Sequence, residues 1–200
     1  MISVQRITAR EQRQRAAGFV NVYHSYIRWS DRPSRKLYWE ILDDGRLVGV
    51  FGLFSAYSHP RAVKAEMTRL GVDFNELGNN GLFCLGGHTD KNTGTRSLAM
   101  IRKDAKRWWA ERYSNDLKAM QTFILPPRTG AVYKADNWRV IGETVGSNML
   151  VSSLTREEYE ALEDKRGVDI RTFKNGAIRY IRRTRATADA NRKLIFWRDL

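Results

Sequence analysis

The stretch Gly130 to Gly142, GAVYKADNWRVIG, places the tightest limit on what this chain can fold into. It reads as a short helix carrying Tyr133, a turn at Asn137, and a strand that opens on an aromatic, Trp138. Asparagine tolerates the left-handed backbone that ends a helix, so Asn137 suits the helix end. Ahead of this stretch, Leu117 to Leu125 has the character of a strand, and Pro126-Pro127 stops it because proline cannot donate to a ladder. A strand, a short helix and a second strand in close succession require helices layered on a sheet. Tyr133 and Trp138 equally fit the role of packing aromatics in such a unit.

The rest of the chain extends that α/β reading. Leu37–Leu42 and Arg46–Phe54 flank Asp43-Asp44-Gly45, and the Asp-Gly pair supplies the positive φ of a tight hairpin. Residues 2–7 alternate as a first strand. Thr8 and Glu11 have capping-box spacing ahead of a helix with Ala16, Phe19, Val20 and Tyr23 on one face. Gly18 lowers the helix propensity of that run. Ser30 to Ser34 reads as a loop and Arg61 to Leu70 as a helix. Asn79-Asn80-Gly81 reads as a break before a short strand, Leu82 to Leu85. Thr95 to Arg112 is amphipathic, with Leu98, Ile101, Ala105, Trp108 and Trp109 inward. Thr155-Arg156-Glu157-Glu158 is a second capping box opening a short helix to about Glu163. Ala177 to Arg183 alternates as a last strand. The expectation is a mixed, largely antiparallel sheet flanked by helices, in one domain over 1–200 with a basic C-terminal segment at 165–200.

Charge narrows the partners. The 200 residues carry 35 Lys or Arg against 22 Asp or Glu, a net +13, which raises the local concentration of polyanions. From Lys165 to Leu200 eleven Lys or Arg face three Asp. Within that segment Arg179, Tyr180, Arg182, Arg183 and Arg185 interleave cations with an aromatic, a pattern that neutralises phosphates and stacks on bases. Double-stranded DNA is the expected partner. The single cysteine, Cys84, sits in an apolar run and builds neither a disulfide framework nor a zinc cluster; it reads as a small buried hydrophobe. No metal site is expected. No apolar window reaches the ~18 residues of a membrane span, so the chain reads as soluble and intracellular.

Two places carry candidate chemistry. Lys91, Asn92, Thr93, Gly94, Thr95, Arg96 and Ser97 form a polar, glycine-containing start to a helix, where free N–H groups and the helix dipole attract an anion. The same residue types also serve as plain helix caps. His24 with Tyr26 is a candidate acid–base pair, since a histidine titrates near neutrality and can relieve an incoming amine of its proton. A packed or surface histidine is the competing reading. His88 in the polar loop and His59 before Pro60 rank below it.

The strand, tyrosine helix, aromatic and strand stand in the order seen around the thiol-protonating tyrosine of acyl-CoA N-acyltransferases. Together with Tyr23-His24-Ser25-Tyr26, the hairpin ending GRLVGV at Gly45–Val50 and the helix start Asn92–Arg96, the chain resembles the phage Mom family over residues 20–146. That family modifies adenine in DNA and is similar in fold to the GNAT-type N-acetyltransferases. The resemblance implies that Tyr133 is the general acid and that residues 91–97 hold the pyrophosphate of acetyl-CoA or another acyl-CoA. Arg96 stands where the acyltransferase pattern has a small residue, and Pro126-Pro127-Arg128 follows the strand where an acidic residue is looked for. It further implies an acyl-derived or carbamoylmethyl group placed on a DNA base, adenine N6, protecting phage DNA from restriction in the cytoplasm of a bacterial host. The alternatives are an N-acetyltransferase for a small amine or protein, and a non-catalytic DNA-binding protein on the same scaffold. The transferase reading places a coenzyme against the 92–97 turn with its sulfur close to the Tyr133 phenol, and it fails as stated if that phenol lies inside the core or on the far side from the glycine loop.

Overall fold

Asp44 and Gly45 both adopt positive φ, 45° and 79°, and close the hairpin of β2 (Lys36–Asp43) and β3 (Arg46–Ser55). In this computed structural model the described residues are 1–24, 29, 35–56, 60–87, 89–145, 149–172, 178–185 and 192–200, with the side chains of 149–153 and 183–185 excepted. The chain divides into two compact units, Met1–Gly142 with Leu194–Leu200, and Glu143–Lys193. The larger is built on a seven-stranded sheet of order β1-β2-β3-β4-β5-β10-β6. Its other strands are β1 (Ile2–Arg6), β4 (Leu77–Leu85), β5 (Ala119–Ile124), β6 (Arg139–Glu143) and β10 (Leu194–Asp199). The β1–β2, β2–β3, β3–β4 and β5–β10 pairs are antiparallel, whereas β4 and β5 are parallel.

Side-chain alternation along the strands decides which helix covers which face. Leu37, Trp39 and Ile41 of β2, with Phe51 and Leu53 of β3, meet Leu98, Ile101, Ala105 and Trp109 of α3 (Thr93–Tyr113). Tyr38, Val50, Leu82 and Cys84 point the other way and meet Ala16 and Val20 of α1 (Arg10–Tyr23). Farther along that second face, Val63 of α2 (Arg61–Leu70) packs with Leu77, Ala119, Ile195 and Trp197. Each fully buried Leu, Ile or Phe contributes roughly 1.5–3 kcal/mol, so burial outweighs any single cap in holding these helices. Tryptophan brings a polar N–H into the core that needs an acceptor. Trp39 donates to Asp104 (2.7 Å), Trp109 to the Asn75 carbonyl (2.9 Å) and Trp197 to Asp199 (2.6 Å).

Buried Glu40, on the α1 face, receives both fork nitrogens of Arg15, Nε at 2.8 Å and Nη2 at 2.7 Å. A lone carboxylate there would cost several kcal/mol. The bidentate pair satisfies it and pins α1 to β2. The cap of α1 differs from the sequence reading: Ala9 is the N-cap, and the Gln12 side chain accepts from the Thr8 and Ala9 amides at 2.9 and 3.0 Å. Gln12 is long enough to fold back onto both amides, one residue later than the expected pair.

The Asn79-Asn80-Gly81 break also proves to be something else. All three residues lie inside β4, where Gly52 pairs with Leu82 and Leu53 with Asn80, leaving Gly81 as a bulge.

In the smaller unit β7 (Met149–Leu154), β9 (Ile178–Arg185) and β8 (Val168–Thr172) form an antiparallel sheet of order β7-β9-β8. Its helix α5 (Arg156–Glu160) opens with the expected capping box, Thr155 Oγ1 accepting from Glu158 N at 3.1 Å and Glu158 accepting from Thr155 N at 2.7 Å. Residues 165–200 are therefore not one basic tail: they supply β8 and β9 to this unit and β10 to the large sheet.

Candidate active site

The parallel pair β4–β5, joined through α3, is where the large sheet opens. Its ladder has three rungs, Leu77 with Ala119, Gly78 with Met120 and Asn79 with Gln121. Beyond them β4 runs on to Leu85 paired with β3, and β5 runs on to Ile124 paired with β10. Both strands keep their outer partners while their inner edges part, which produces a fork at the carboxyl ends of the parallel strands. The Gly81 bulge supplies the local bend. The first position past the last rung is bridged by a side chain rather than by backbone: Thr122 Oγ1 donates to the Asn80 carbonyl at 2.8 Å. Ligands of open α/β sheets bind at such strand ends.

At this end of the sheet α3 begins. Asn92 is its N-cap in the left-handed conformation, φ 70°, and no side chain caps the helix. The Thr93 amide donates to the Asp90 carbonyl at 3.1 Å and the Arg96 amide to that of Asn92 at 2.9 Å. By helix geometry the Gly94 and Thr95 amides have no intrahelical acceptor. Thr93 Oγ1 is buried and has no hydrogen-bond partner. Lys91, Asn92 and Arg96 are exposed, and the two cations add to the positive end of the helix dipole.

Two members of the predicted loop take other roles. Ser97 is buried and its hydroxyl donates back to the Thr93 and Gly94 carbonyls at 2.7 and 3.0 Å, so it belongs to the helix rather than to a ligand. Gly94 is needed for packing: a Cβ there would stand 2.6 Å from Val132 Cγ2. That contact brings the start of α3 against α4 (Ala131–Ala135), the helix of Tyr133.

The Tyr133 phenol is on the side of the glycine loop, as required, but it is not open. The residue is 4% exposed and packs against Phe83, Trp138 and Phe196 at centroid distances of 6.0, 5.1 and 5.8 Å. Its hydroxyl donates to Asn80 Oδ1 at 2.5 Å. Tyr133 belongs to the core of the large sheet and its hydroxyl is committed to β4, so the condition set for it as an open general acid is not met, and the acyl-transfer reading has to rest on the fork and the helix start instead. Asn80 is in turn fixed by its Nδ2, which donates to the Gly52 and Leu82 carbonyls at 3.1 and 2.7 Å. Behind the phenol, buried Asp136 pairs with Arg102 of α3 and accepts from Trp138 Nε1 at 2.9 Å. These bonds explain the acidic and indole groups of the motif: they lock α4 to α3. Asn137 takes the left-handed turn, φ 58°.

His24 follows α1, on the face opposite Tyr133, and caps that helix through its amide to the Val20 carbonyl at 2.9 Å. The structure does not bring His24 to the phenol. Tyr26, His59 and His88 lie outside the described residues. Cys84 is buried, and burial pushes its thiol up to about 11, so it is an inert core thiol. Asn80 and Thr122 are the site residues that sequence reasoning missed. Neither belongs to a recognisable catalytic pattern, and the one signal was the pair of polar residues in an otherwise apolar strand.

In the smaller unit Arg179 and Arg171 are exposed cross-strand neighbours on β9 and β8. Arg171 had no role in the sequence reading. Tyr180 is not the free stacking platform expected: its ring stacks on Tyr159 at 4.4 Å and 17°. Arg182 is half-buried. Arg183 and Arg185 stand on β9 opposite Val151 and Met149, and their side chains lie outside the described residues.

No family model matches the chain, and no curated protein matches it in sequence. Solved structures do. Over 100% of this chain and 99% of the other, NAA60 of Arabidopsis thaliana in complex with acetyl-CoA aligns with a TM-score of 0.54 at 10% identity. The fold is the N-acetyltransferase fold. An N-acetyltransferase from Staphylococcus aureus aligns over 100% and 97% of the two chains at 11% identity and TM-score 0.49, and an IAA acetyltransferase from Bacillus cereus over 100% of both at 12% and 0.47. The α/β class, the largely antiparallel sheet and its flanking helices agree with the sequence reading.

Proposed function

We propose that the protein is an acyltransferase that takes an acyl group from an acyl-CoA and passes it to an amine, with a DNA base as the acceptor. The observation that carries this is the β4–β5 fork closed at its base by Asn79 and Gln121 and flanked by an uncapped helix start. That helix start suits a pyrophosphate: two amides without intrahelical acceptors, the orphaned Thr93 hydroxyl, and the Lys91 and Arg96 cations. The inner edges of the fork suit a ligand arm that pairs with backbone as a strand does. When bound, the coenzyme supplies a thioester carbonyl and a thiol leaving group. Buried as it is, Tyr133 Oη would hold the proton for that leaving group only where the thiol reaches it through the fork, and the bond to Asn80 Oδ1 fixes where the phenol points. Asn80 and Thr122 keep the two strands at a constant spacing there.

DNA as the partner rests on charge. The smaller unit has eleven Lys or Arg against eight Asp or Glu, a net +3, which leaves +10 of the total +13 on the larger unit. Positive charge is thus spread over both units, and the acids near α5 offset much of the basic segment. A base must leave the stack to be modified, which the phosphate contacts of so basic a chain would help to offset. Modification of adenine N6 in phage DNA against host restriction, by an acyl-derived group, is the specific form of this reading; a carbamoylmethyl group, joined through its methylene carbon, would need an alkylating donor instead of a thioester.

Two measurements test it. Calorimetry with acetyl-CoA is expected to show binding that Thr93→Val weakens several-fold. Mass spectrometry of nucleosides from plasmid DNA made in expressing cells is expected to show a new adduct on deoxyadenosine. Coenzyme binding with unaltered nucleosides would leave a small amine or a protein as acceptor. Salt-sensitive DNA binding without coenzyme binding would leave a non-catalytic DNA-binding protein.

A further inference from the structure

Asn79 forms the last rung of the β4–β5 ladder, and no step above uses its side chain. It is 3% exposed, and its Oδ1 has no hydrogen-bond partner. A buried amide oxygen without a donor weakens a fold, so its presence points to a donor that arrives with a ligand. Its face is set by alternation. Leu77, two residues earlier, packs with Val63 of α2, whereas Asn80 turns to Tyr133 on the α3 side. The side chain stays close to the bulge, with Nδ2 3.1 Å from where a Cβ on Gly81 would be. The base of the fork therefore has the phenol and Asn80 on one face and the Asn79 side chain on the other.

We infer that Asn79 is the positioning residue for the acceptor: its Oδ1 accepts a hydrogen bond from the N–H of the incoming amine, and the amines it suits arrive uncharged. The inference rests on the acyl-transfer reading. An amide oxygen orients a nitrogen without taking its proton, and β4 (LGNNGLFCL) and β5 (AMQTFI) contain no Asp, Glu or His. An alkylammonium has to shed a proton before it can attack. The exocyclic amino group of a nucleobase is neutral already. As the N–C bond forms and the C–S bond breaks, nitrogen loses one proton and the thiol gains one, the phenol of Tyr133 and solvent balancing the two.

The test uses the full chain, acetyl-CoA as donor, and two acceptors, a short single-stranded oligodeoxyadenylate and n-butylamine. Wild type is expected to prefer the oligonucleotide in kcat/KM. Asn79→Leu removes the orphan oxygen, so it is expected to melt no lower than wild type and to bind acetyl-CoA within twofold. Its KM for the oligonucleotide is expected to rise at least tenfold with a smaller change in kcat. Asn79→Asp, which carries the test if the leucine variant does not fold, is expected to shift preference toward butylamine at least tenfold. An oligonucleotide KM within twofold of wild type in a folded variant overturns the inference. So does a wild type that prefers butylamine, or that binds acetyl-CoA and acylates neither acceptor. If wild type fails to bind acetyl-CoA at all, the acyl-transfer reading falls and takes this one with it, a result distinct from the others.

Discussion

A single hydrogen bond joins Tyr133 to Asn80, 53 positions away in sequence. Tyr133 stood out in its motif, but its partner did not, because only the sheet brings β4 under α4. Tyr133→Phe removes one donor and leaves a buried amide oxygen unsatisfied, at a cost of roughly 1–3 kcal/mol. For a chain of this size each kcal/mol lowers Tm by about 2–4 °C, so thermal denaturation followed by circular dichroism is expected to show a drop of several degrees. Acyl transfer is expected to fall in the same variant. A variant that melts with wild type would show that the bond carries no weight. The same limit explains His24: a histidine beside tyrosines has the residue types for acid–base chemistry, yet alternation along the strands puts its helix on the other face.

The helices and the hairpin were readable one by one, since each depends on contacts within a few residues. Asp44-Gly45 specified its turn, and the periodicity of 95–112 specified α3. What was not readable was how elements meet. Gly94 looked like a residue chosen for phosphate, whereas its nearest neighbour is Val132 of α4. Valine is stiff at χ1 and cannot swing away. Gly94→Ala is therefore expected to cost about 1–3 kcal/mol by overpacking and to weaken acetyl-CoA binding by displacing α3 from α4. Gly87→Ala is the control, because a Cβ there meets nothing within 4 Å. Calorimetric binding and melting of the two variants check the pair; equal effects would place the requirement in the loop rather than in the helix contact. The bulged Asn79-Asn80-Gly81 run teaches the same lesson in reverse. Asparagine and glycine disfavour strands locally, but partners on both sides hold them in β4 and turn a break into the fork.

For the molecule as a whole, an ion network ties α2 to β6 and β10. Glu66 accepts from Arg139 at 3.1 and 2.9 Å and from Arg69 Nε at 2.7 Å, and Arg69 also reaches Asp199 at 3.0 and 2.9 Å. The Arg139 and Arg69 bonds hold the Glu66 carboxyl below its ordinary value. A carboxylate depressed in the folded state stabilises above its unfolded value, near 4.5, and that stabilisation is lost as pH falls below it. Melting temperature is thus expected to drop between pH 5 and 3, and less steeply in Glu66→Gln, by an amount of about 1 kcal/mol or less. Parallel pH profiles would count against the network. At this scale the sequence by itself determined the layered α/β class, the antiparallel start, the excess positive charge and the tyrosine helix, because local propensity, alternation and composition act along the chain. Only the tertiary structure decided that the basic segment splits between two units, that Tyr180 is already stacked, and that two strands part beyond Asn79. Those features depend on which residues far apart in the chain share a face or a rung, and a linear pattern does not carry that information.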